Sequence, residues 1–226
     1  MTNRVVIVGG GQAAVSAALR LRAGGYDGKL DILGDEPSLP YQRPPLSKAY
    51  LKGEMAVDRL LLRPDAVYRD LGIALHRRTQ ALFIDRVNRR VGTDKNSNIP
   101  YDKLILATGA TPRHLPEDAG GNLDNVFTFR ALADADRLRD RMRPGQRLLV
   151  VGGGYIGLEM SAAAVELGLE VTLIEMQERI LHRVAAPATA NWFRDLHLRR
   201  GVDLREGVGL ERLISDGREA VLAALS

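Results

Sequence analysis

An α/β fold made of two three-layer dinucleotide-binding units is predicted by three observations in the 226-residue sequence. The first is an apolar run entering a glycine turn, VVIVGGGQAA over residues 5–14; the second is its echo, LLVVGGGYIG over residues 148–157. The third is that each run leads through a helical pattern to another apolar run and an acid: Asp35, 21 residues past Ala14, and Glu175, 18 residues past Gly157. A buried parallel strand, a phosphate-cradling loop and a helix N-terminus make the Rossmann arrangement, in which a carboxylate about 20 residues on accepts hydrogen bonds from a ribose. Gly9, Gly11, Gly152 and Gly154 let the backbone approach a pyrophosphate, whose charge the helix dipole and orphan N–H groups stabilise. Ala14 and Gly157 are small enough for helix and strand to pack tightly. Two complete copies imply two dinucleotides, and one chain holding two is suited to pass electrons between them.

Composition bounds the rest. The length accommodates two small α/β domains, each with a core, and the boundary is expected near residue 112, giving domains 1–112 and 113–226. Hydrophobic content of 45% with 27% charged residues is that of a soluble globular protein. No signal-type segment precedes the first strand, and no uncharged run approaches the roughly 18 apolar residues of a membrane span, so the expected compartment is the cytoplasm, with no membrane partner. The net charge of +4 is carried mostly by arginine. Arg130, Arg137, Arg139, Arg141, Arg143 and Arg147 run beside Asp134, Asp136 and Asp140, which reads as a salt-bridged helix face or as a docking surface for an acidic protein. With 5% aromatic residues and no interleaved binding motif, a nucleic-acid partner is not expected. The absence of cysteine excludes a catalytic dithiol, a thiolate iron–sulfur site and a zinc ribbon within these residues. His76, His114, His182 and His197 lack the i, i+4 spacing of a helical metal pair, so no metal site is expected.

In order, residues 15–23 continue the first helix to the Gly24-Gly25 stop, and residues 30–33 form the second strand. The segment PSLPYQRPPLSK over residues 37–48 is stiff and extended because proline fixes its own φ and restrains its predecessor; a short helix begins near Ser47. Arg43 and Lys48 on this segment are placed to hold cations near a cofactor, or are incidental charges on a Pro-rich surface loop. Residues 62–72 read as a helix, 73–76, 80–85 and 89–92 as strands, 94–98 as a turn, and 101–110 as a strand ending in small residues. Residues 131–143 read as a charged helix. The second unit follows with strands 147–151 and 170–175, helices 155–167 and 188–200, and three final strands near 202–205, 208–213 and 219–222. Trp192 and Phe193 are expected in the core.

At LPYQRPPLSK, taken with GGGQAA, ATGATPR and GGGYIGLE, the sequence resembles the flavin-dependent ferredoxin and rubredoxin reductases of the two-dinucleotide flavoprotein superfamily, a superfamily that also contains apoptosis-inducing factor. The resemblance covers the whole chain, and PPLSK together with GGGYIGLE is specific to this branch. It implies that Gly9, Gly11, Ala13, Ala14 and Asp35 bind the ADP part of FAD. It implies too that Arg43 and Lys48 contact the flavin nucleotide, and that Ala81, Ala107, Thr108, Gly109 and Arg130 touch FAD again. Glu159 pairs with Lys48 beside the flavin N5 in this reading, and these two are the catalytic candidates. Gly152, Gly154, Ile156, Gly157 and Glu175 bind NADH. Members of the family re-enter the flavin domain with a further strand and add a C-terminal interface domain; neither is found by Ser226, so the chain is expected to be a truncated form that holds FAD poorly.

The implied activity is electron transfer from NADH through FAD to a one-electron acceptor, an acidic [2Fe-2S] ferredoxin or a rubredoxin, serving a cytochrome P450 or a ring-hydroxylating oxygenase. An NADH oxidase or apoptosis-inducing-factor-like flavoprotein, and a non-catalytic nucleotide-binding fragment, stay open as alternatives. The oligomeric state is not legible.

Overall fold

A computed structural model describes residues 3–226. By its internal contacts the chain forms two units, one running to Gln42 and resuming over Val57–Ala110, the other holding Arg43–Ala56 and Thr111–Ser226.

In the first unit, β1 (Arg4–Val8) enters the glycine loop and α1 (Gln12–Ala23) leaves it toward β2 (Lys29–Leu33). Two short helices, α2 (Val57–Leu60) and α3 (Asp65–Asp70), precede β3 (Ile73–His76); β4 (Ala81–Asp85), β5 (Arg90–Thr93) and β6 (Asn98–Pro100) precede β7 (Lys103–Leu106). The parallel sheet runs β3-β2-β1-β7, and β4-β5-β6 is a separate antiparallel sheet. Because side chains alternate along a strand, β1 feeds two cores. Val5 and Ile7 pack with Ala14, Val15 and Ala18 of α1, while Val6 and Val8 pack with Leu33, Val91 and Ile99. The helix expected over 62–72 is present as the shorter α3, which begins only at Asp65 because Pro64, with an extended ψ of 153°, sits at its N-cap; α2 lies ahead of the expected span.

Polar residues also cross this sheet. Asp31 on β2 is 3% exposed, and its carboxylate accepts Arg4 Nε and Nη2 from β1, each at 2.8 Å, and lies 2.7 Å from His76 Nε2 on β3. Burial pushes the Asp31 carboxyl up, but the hydrogen bonds from His76 and Arg4 outweigh it and hold the pKa at about 2.

In the second unit, α4 (Leu132–Arg139) precedes β8 (Arg147–Val151), α5 (Tyr155–Glu166), β9 (Glu170–Glu175), α6 (Pro187–Arg199), β10 (Asp203–Glu206), and the strands β11 (Leu210–Ser215) and β12 (Ala220–Leu225). The parallel sheet is β10-β9-β8, and β11-β12 is an antiparallel hairpin. Its core gathers Leu158, Met160, Ala163 and Ala164 of α5 with Val171 and Leu173 of β9, Leu138 of α4, and Leu51 from the inserted segment. The charged helix stops at Arg139, four residues short of expectation, ahead of a turn and Pro144. Asp134 caps it by accepting from the backbone N–H groups of Arg130 and Ala131, Arg137 lies over the Phe127 ring, and Arg141 pairs with Glu219. Trp192 corrects the sequence reading. It is 57% exposed, edge-on to Phe193, and only Phe193 packs against the core. Among the described residues no helix is long and apolar enough to cross a membrane, and no cluster of three or more metal-type side chains is found.

Candidate functional site

The two glycine loops are built alike. Gly9 follows β1 with φ of 119° and donates its N–H to Leu33 O at 2.8 Å; Gly152 follows β8 with φ of 108° and donates to Ile174 O at 2.8 Å. A Cβ at Gly9 would lie 2.1 Å from Ala107 O, and one at Gly157 would lie 2.0 Å from Gly152 O, so both positions demand glycine for close backbone approach. Gly11 and Gly154, the residues that begin α1 and α5, have no atom within 4 Å of where a Cβ would stand. Both are extended, neither helix has a side-chain cap, and neither has an acid in its first turn. Each helix therefore begins with no side-chain partner for its orphan N–H groups, no acid to oppose an anion, and unfilled space at its opening glycine, which fits a phosphate at the positive end of the helix dipole. FAD and NADH, the groups implied at these loops, both offer a pyrophosphate there.

Around the first loop, Ala14 is fully buried, Ala13 is exposed, and the end of β7 brings Ala107 and Thr108 against Gly9. Gly109 beyond them takes φ of 71°. Ala81 pairs with Thr93 and packs on the core cluster of Val6 and Val91. The acid sits differently in the two units. Register puts Leu33 and Ile174 in equivalent places, so Gly34 occupies the position of Glu175, and Asp35 lies one residue farther on, exposed. Glu36, the next acid, accepts the Tyr41 hydroxyl.

Glu175 is held firmly. Its Oε2 accepts the Gly153 N–H at 2.8 Å and its Oε1 accepts the Gln177 N–H at 2.8 Å, tying the strand end to the glycine loop. The nearest arginine along the chain, Arg179, donates to the carbonyls of Ala185 and His182 at 3.0 and 3.2 Å and so is committed elsewhere. Tyr155 and Ile156, at the start of α5, are 59% and 50% exposed beside the loop.

The inserted segment belongs to the second unit and is fastened at four points. Arg43 donates to Arg130 O at 2.9 Å; Lys48 Nζ lies 2.7 Å from Glu159 Oε1; the Tyr50 hydroxyl donates to Asp136 at 2.5 Å beneath the Arg139 guanidinium; and Lys52 pairs with Glu166 at 2.9 Å. Lys48 and Glu159, far apart in sequence, thus meet. The side chains are 50% and 30% exposed, so this is a partly solvated pair whose loss costs about 0.2–1 kcal/mol rather than the several of a buried one. Sequence reasoning missed Ser47, which is 4% exposed and donates its hydroxyl to Glu159 Oε2 at 2.5 Å. Its only signal was a position beside Lys48.

Of the expected site residues, the structure gathers Gly9, Gly11, Ala13, Ala14, Ala107 and Thr108 at one loop. It gathers Gly152, Gly154, Ile156, Gly157 and Glu175 at the other, joins Lys48 to Glu159, and joins Arg43 to Arg130 through the backbone.

The family model for pyridine nucleotide-disulphide oxidoreductases matches residues 3–225. Putidaredoxin reductase of Pseudomonas putida is 41% identical over 207 residues, 91% of this chain and 49% of that protein. Rhodocoxin reductase of Rhodococcus erythropolis is 41% identical over 217 residues, 96% of this chain and 51% of that protein. Among solved structures, the covalent putidaredoxin reductase–putidaredoxin complex contains a chain that superimposes with a TM-score of 0.95 at 37% identity, over 99% of this chain and 55% of that one. The ferredoxin reductase for the CYP199A2 system of Rhodopseudomonas palustris gives a TM-score of 0.94 at 36% identity, with the same coverage of 99% and 55%. The chain spans about half the length of these relatives. With nearly every residue matched by the family model and each glycine loop framed by its strand and helix, the chain belongs to the pyridine nucleotide-disulphide oxidoreductase family.

Proposed function

We propose that the chain binds FAD at the first glycine loop and NADH at the second, and passes electrons from NADH through FAD to an acidic one-electron carrier, a [2Fe-2S] ferredoxin or a rubredoxin. The observation that carries this reading is the duplicated cradle: two uncapped, acid-free helix N-termini, each opened by a glycine whose Cβ position is empty. Relatives named for putidaredoxin, rhodocoxin and rubredoxin support the acceptor class. The net charge of +4 suits an acidic partner.

The residues divide the work. Gly9 and Gly11 with the α1 N-terminus take one pyrophosphate, and Asp35 takes its ribose; Gly152, Gly154 and Gly157 with the α5 N-terminus take the other. Glu175, oriented by Gly153 and Gln177, reads the second ribose and disfavours a 2′-phosphate, which would meet its negative charge while Arg179, the next arginine along the chain, is held by the Ala185 and His182 carbonyls. FAD, when bound, supplies the conversion from hydride to single electrons that an NADH donor and an iron–sulfur acceptor require. Lys48, which the family resemblance assigns to the flavin nucleotide, would supply an ammonium that balances negative charge developing on a bound cofactor, with Glu159 steadying it. With no cysteine in these 226 residues, electrons leave to an external carrier rather than through a dithiol of this chain. The reaction belongs in the cytoplasm, where reduced NADH is available.

Flavin uptake gives absorbance near about 450 nm, and NADH-dependent reduction of a [2Fe-2S] ferredoxin follows it. A chain that takes up neither FAD nor NADH refutes the reading. Flavin reoxidation that oxygen supports and ferredoxin leaves unchanged assigns an oxidase instead.

A further inference from the structure

Two consecutive side chains, Ser47 and Lys48, reach the two oxygens of one carboxylate. Ser47 Oγ donates to Glu159 Oε2 at 2.5 Å, and Lys48 Nζ stands 2.7 Å from Oε1. On a regular helix successive side chains diverge by about 100°, so neighbours do not converge on one group. Here they converge because Lys48 leaves helical geometry, with φ of −124° and ψ of −116° inside the short helical turn of residues 46–50. The turn itself is locked, since Leu46 and Tyr50 on either side are each 1% exposed.

The consequence falls on the ammonium. Lys48 has three donors: one meets Glu159, one meets Pro44 O at 3.1 Å, and among the described residues none meets a third acceptor. Were Oε2 free, the carboxylate could rotate out of the pair toward water, leaving the ammonium less firmly held and its third N–H pointing in no fixed direction. The buried Ser47 hydroxyl removes that freedom by claiming Oε2.

We propose that Ser47 is a positioning residue: its hydroxyl fixes the rotation of the Glu159 carboxylate, and through it the direction in which the Lys48 ammonium presents its remaining N–H to a bound cofactor. The proposal rests on the flavoprotein reading for what Lys48 acts upon, but not for the coupling itself.

The coupling is tested without cofactor. Competitive acylation of lysine amines, read by peptide mass spectrometry, compares wild type, Ser47→Ala and Ser47→Thr. Lys52 is the internal control, because it lies on the same segment and is held by Glu54 and Glu166 at 3.0 and 2.9 Å, independently of Ser47. In Ser47→Ala, Lys48 labelling is expected to rise severalfold while Lys52 stays unchanged, and Ser47→Thr is expected to restore the wild-type ratio. Equal rises at Lys48 and Lys52 would mean the segment has merely loosened, and no rise at Lys48 would mean the hydroxyl does not hold the pair; either overturns the proposal.

The flavin-loaded chain supplies the second arm. Ser47→Ala is expected to slow flavin reduction by NADH roughly tenfold, the weight of a hydrogen bond to a charged group, with the NADH Kd unchanged. In a Lys48→Ala background Ser47→Ala is expected to add nothing. Additive losses would overturn the proposal, whereas failure of the wild-type chain to take up FAD counts against the functional reading and leaves the acylation result to decide the coupling.

Discussion

Replacing Asp31 by Asn removes the centre of a polar network that ties three strands of the first unit. The Asp31 side chain is 5% exposed and its carboxylate receives Arg4 Nε and Nη2 at 2.8 Å, with His76 Nε2 at 2.7 Å. Its carboxyl is held at about 2 against an ordinary 3.8, so its contribution to stability is fully present above the ordinary value and is lost as pH falls from there toward 2. That interval corresponds to about 2 kcal/mol, and because Arg4 and His76 are 22% and 35% exposed, solvent reduces it to about 1–2 kcal/mol. Asp31→Asn should therefore cost about 1–2 kcal/mol near neutral pH and flatten the loss of stability below pH about 4. Hydrogen exchange of the β1, β2 and β3 amides in a urea series from about pH 5 to pH 2 reports this unit separately, which matters because a two-unit chain need not unfold in one step. Parallel pH profiles for wild type and variant would show that the Asp31 charge is not what the network stabilises.

Three further outcomes follow from the geometry. Gly154→Ala should leave the melting temperature within about a degree, since the Cβ meets nothing, yet weaken NADH binding at least tenfold by filling the cradle, as isothermal titration would show; Gly157→Ala, driven into Gly152 O at 2.0 Å, should instead destabilise the fold. Glu175→Ala should erase a preference for NADH over NADPH on the order of 30-fold, measured as the ratio of dissociation constants, because Arg179 is committed and the carboxylate alone repels the extra phosphate. Trp192→Gln should cost less than about 1 kcal/mol in urea unfolding, against the several expected of a core tryptophan, since the ring is 57% exposed.

The glycine loops, their strands and their helices were legible because local rules determine them: apolar runs of strand length, small residues where backbones touch, and a helix beginning at once. Trp192 was misplaced because periodicity says that one side of α6 is buried without saying which aromatic of an adjacent pair lies on it. The helix expected over 62–72 forms, but only from Asp65, because Pro64 restrains its predecessor to extended geometry and so sets the helix start. Ser47, Asp31 and His76 could not be found by pattern at all. Each acts through a partner 45 to 112 residues away or on a neighbouring strand, and only the folded sheet or the kink at Lys48 creates the contact. The Lys48–Glu159 meeting was anticipated through family resemblance, but its exposure, and so its energetic weight, was not.

The fastening of residues 43–56 into the second unit makes that unit discontinuous along the chain, and so no single cut can release it intact. A polypeptide beginning at Thr111 would lack Leu46, Tyr50 and Leu51, each no more than 1% exposed, leaving Leu51's place in the core of α4, α5 and β9 vacant. Such a polypeptide should be loosely packed and bind a hydrophobic dye, and a synthetic peptide of residues 43–56 added in trans should restore its order. During synthesis the segment emerges well before the core that receives it, so the second unit is complete only once this earlier stretch of chain has docked into it.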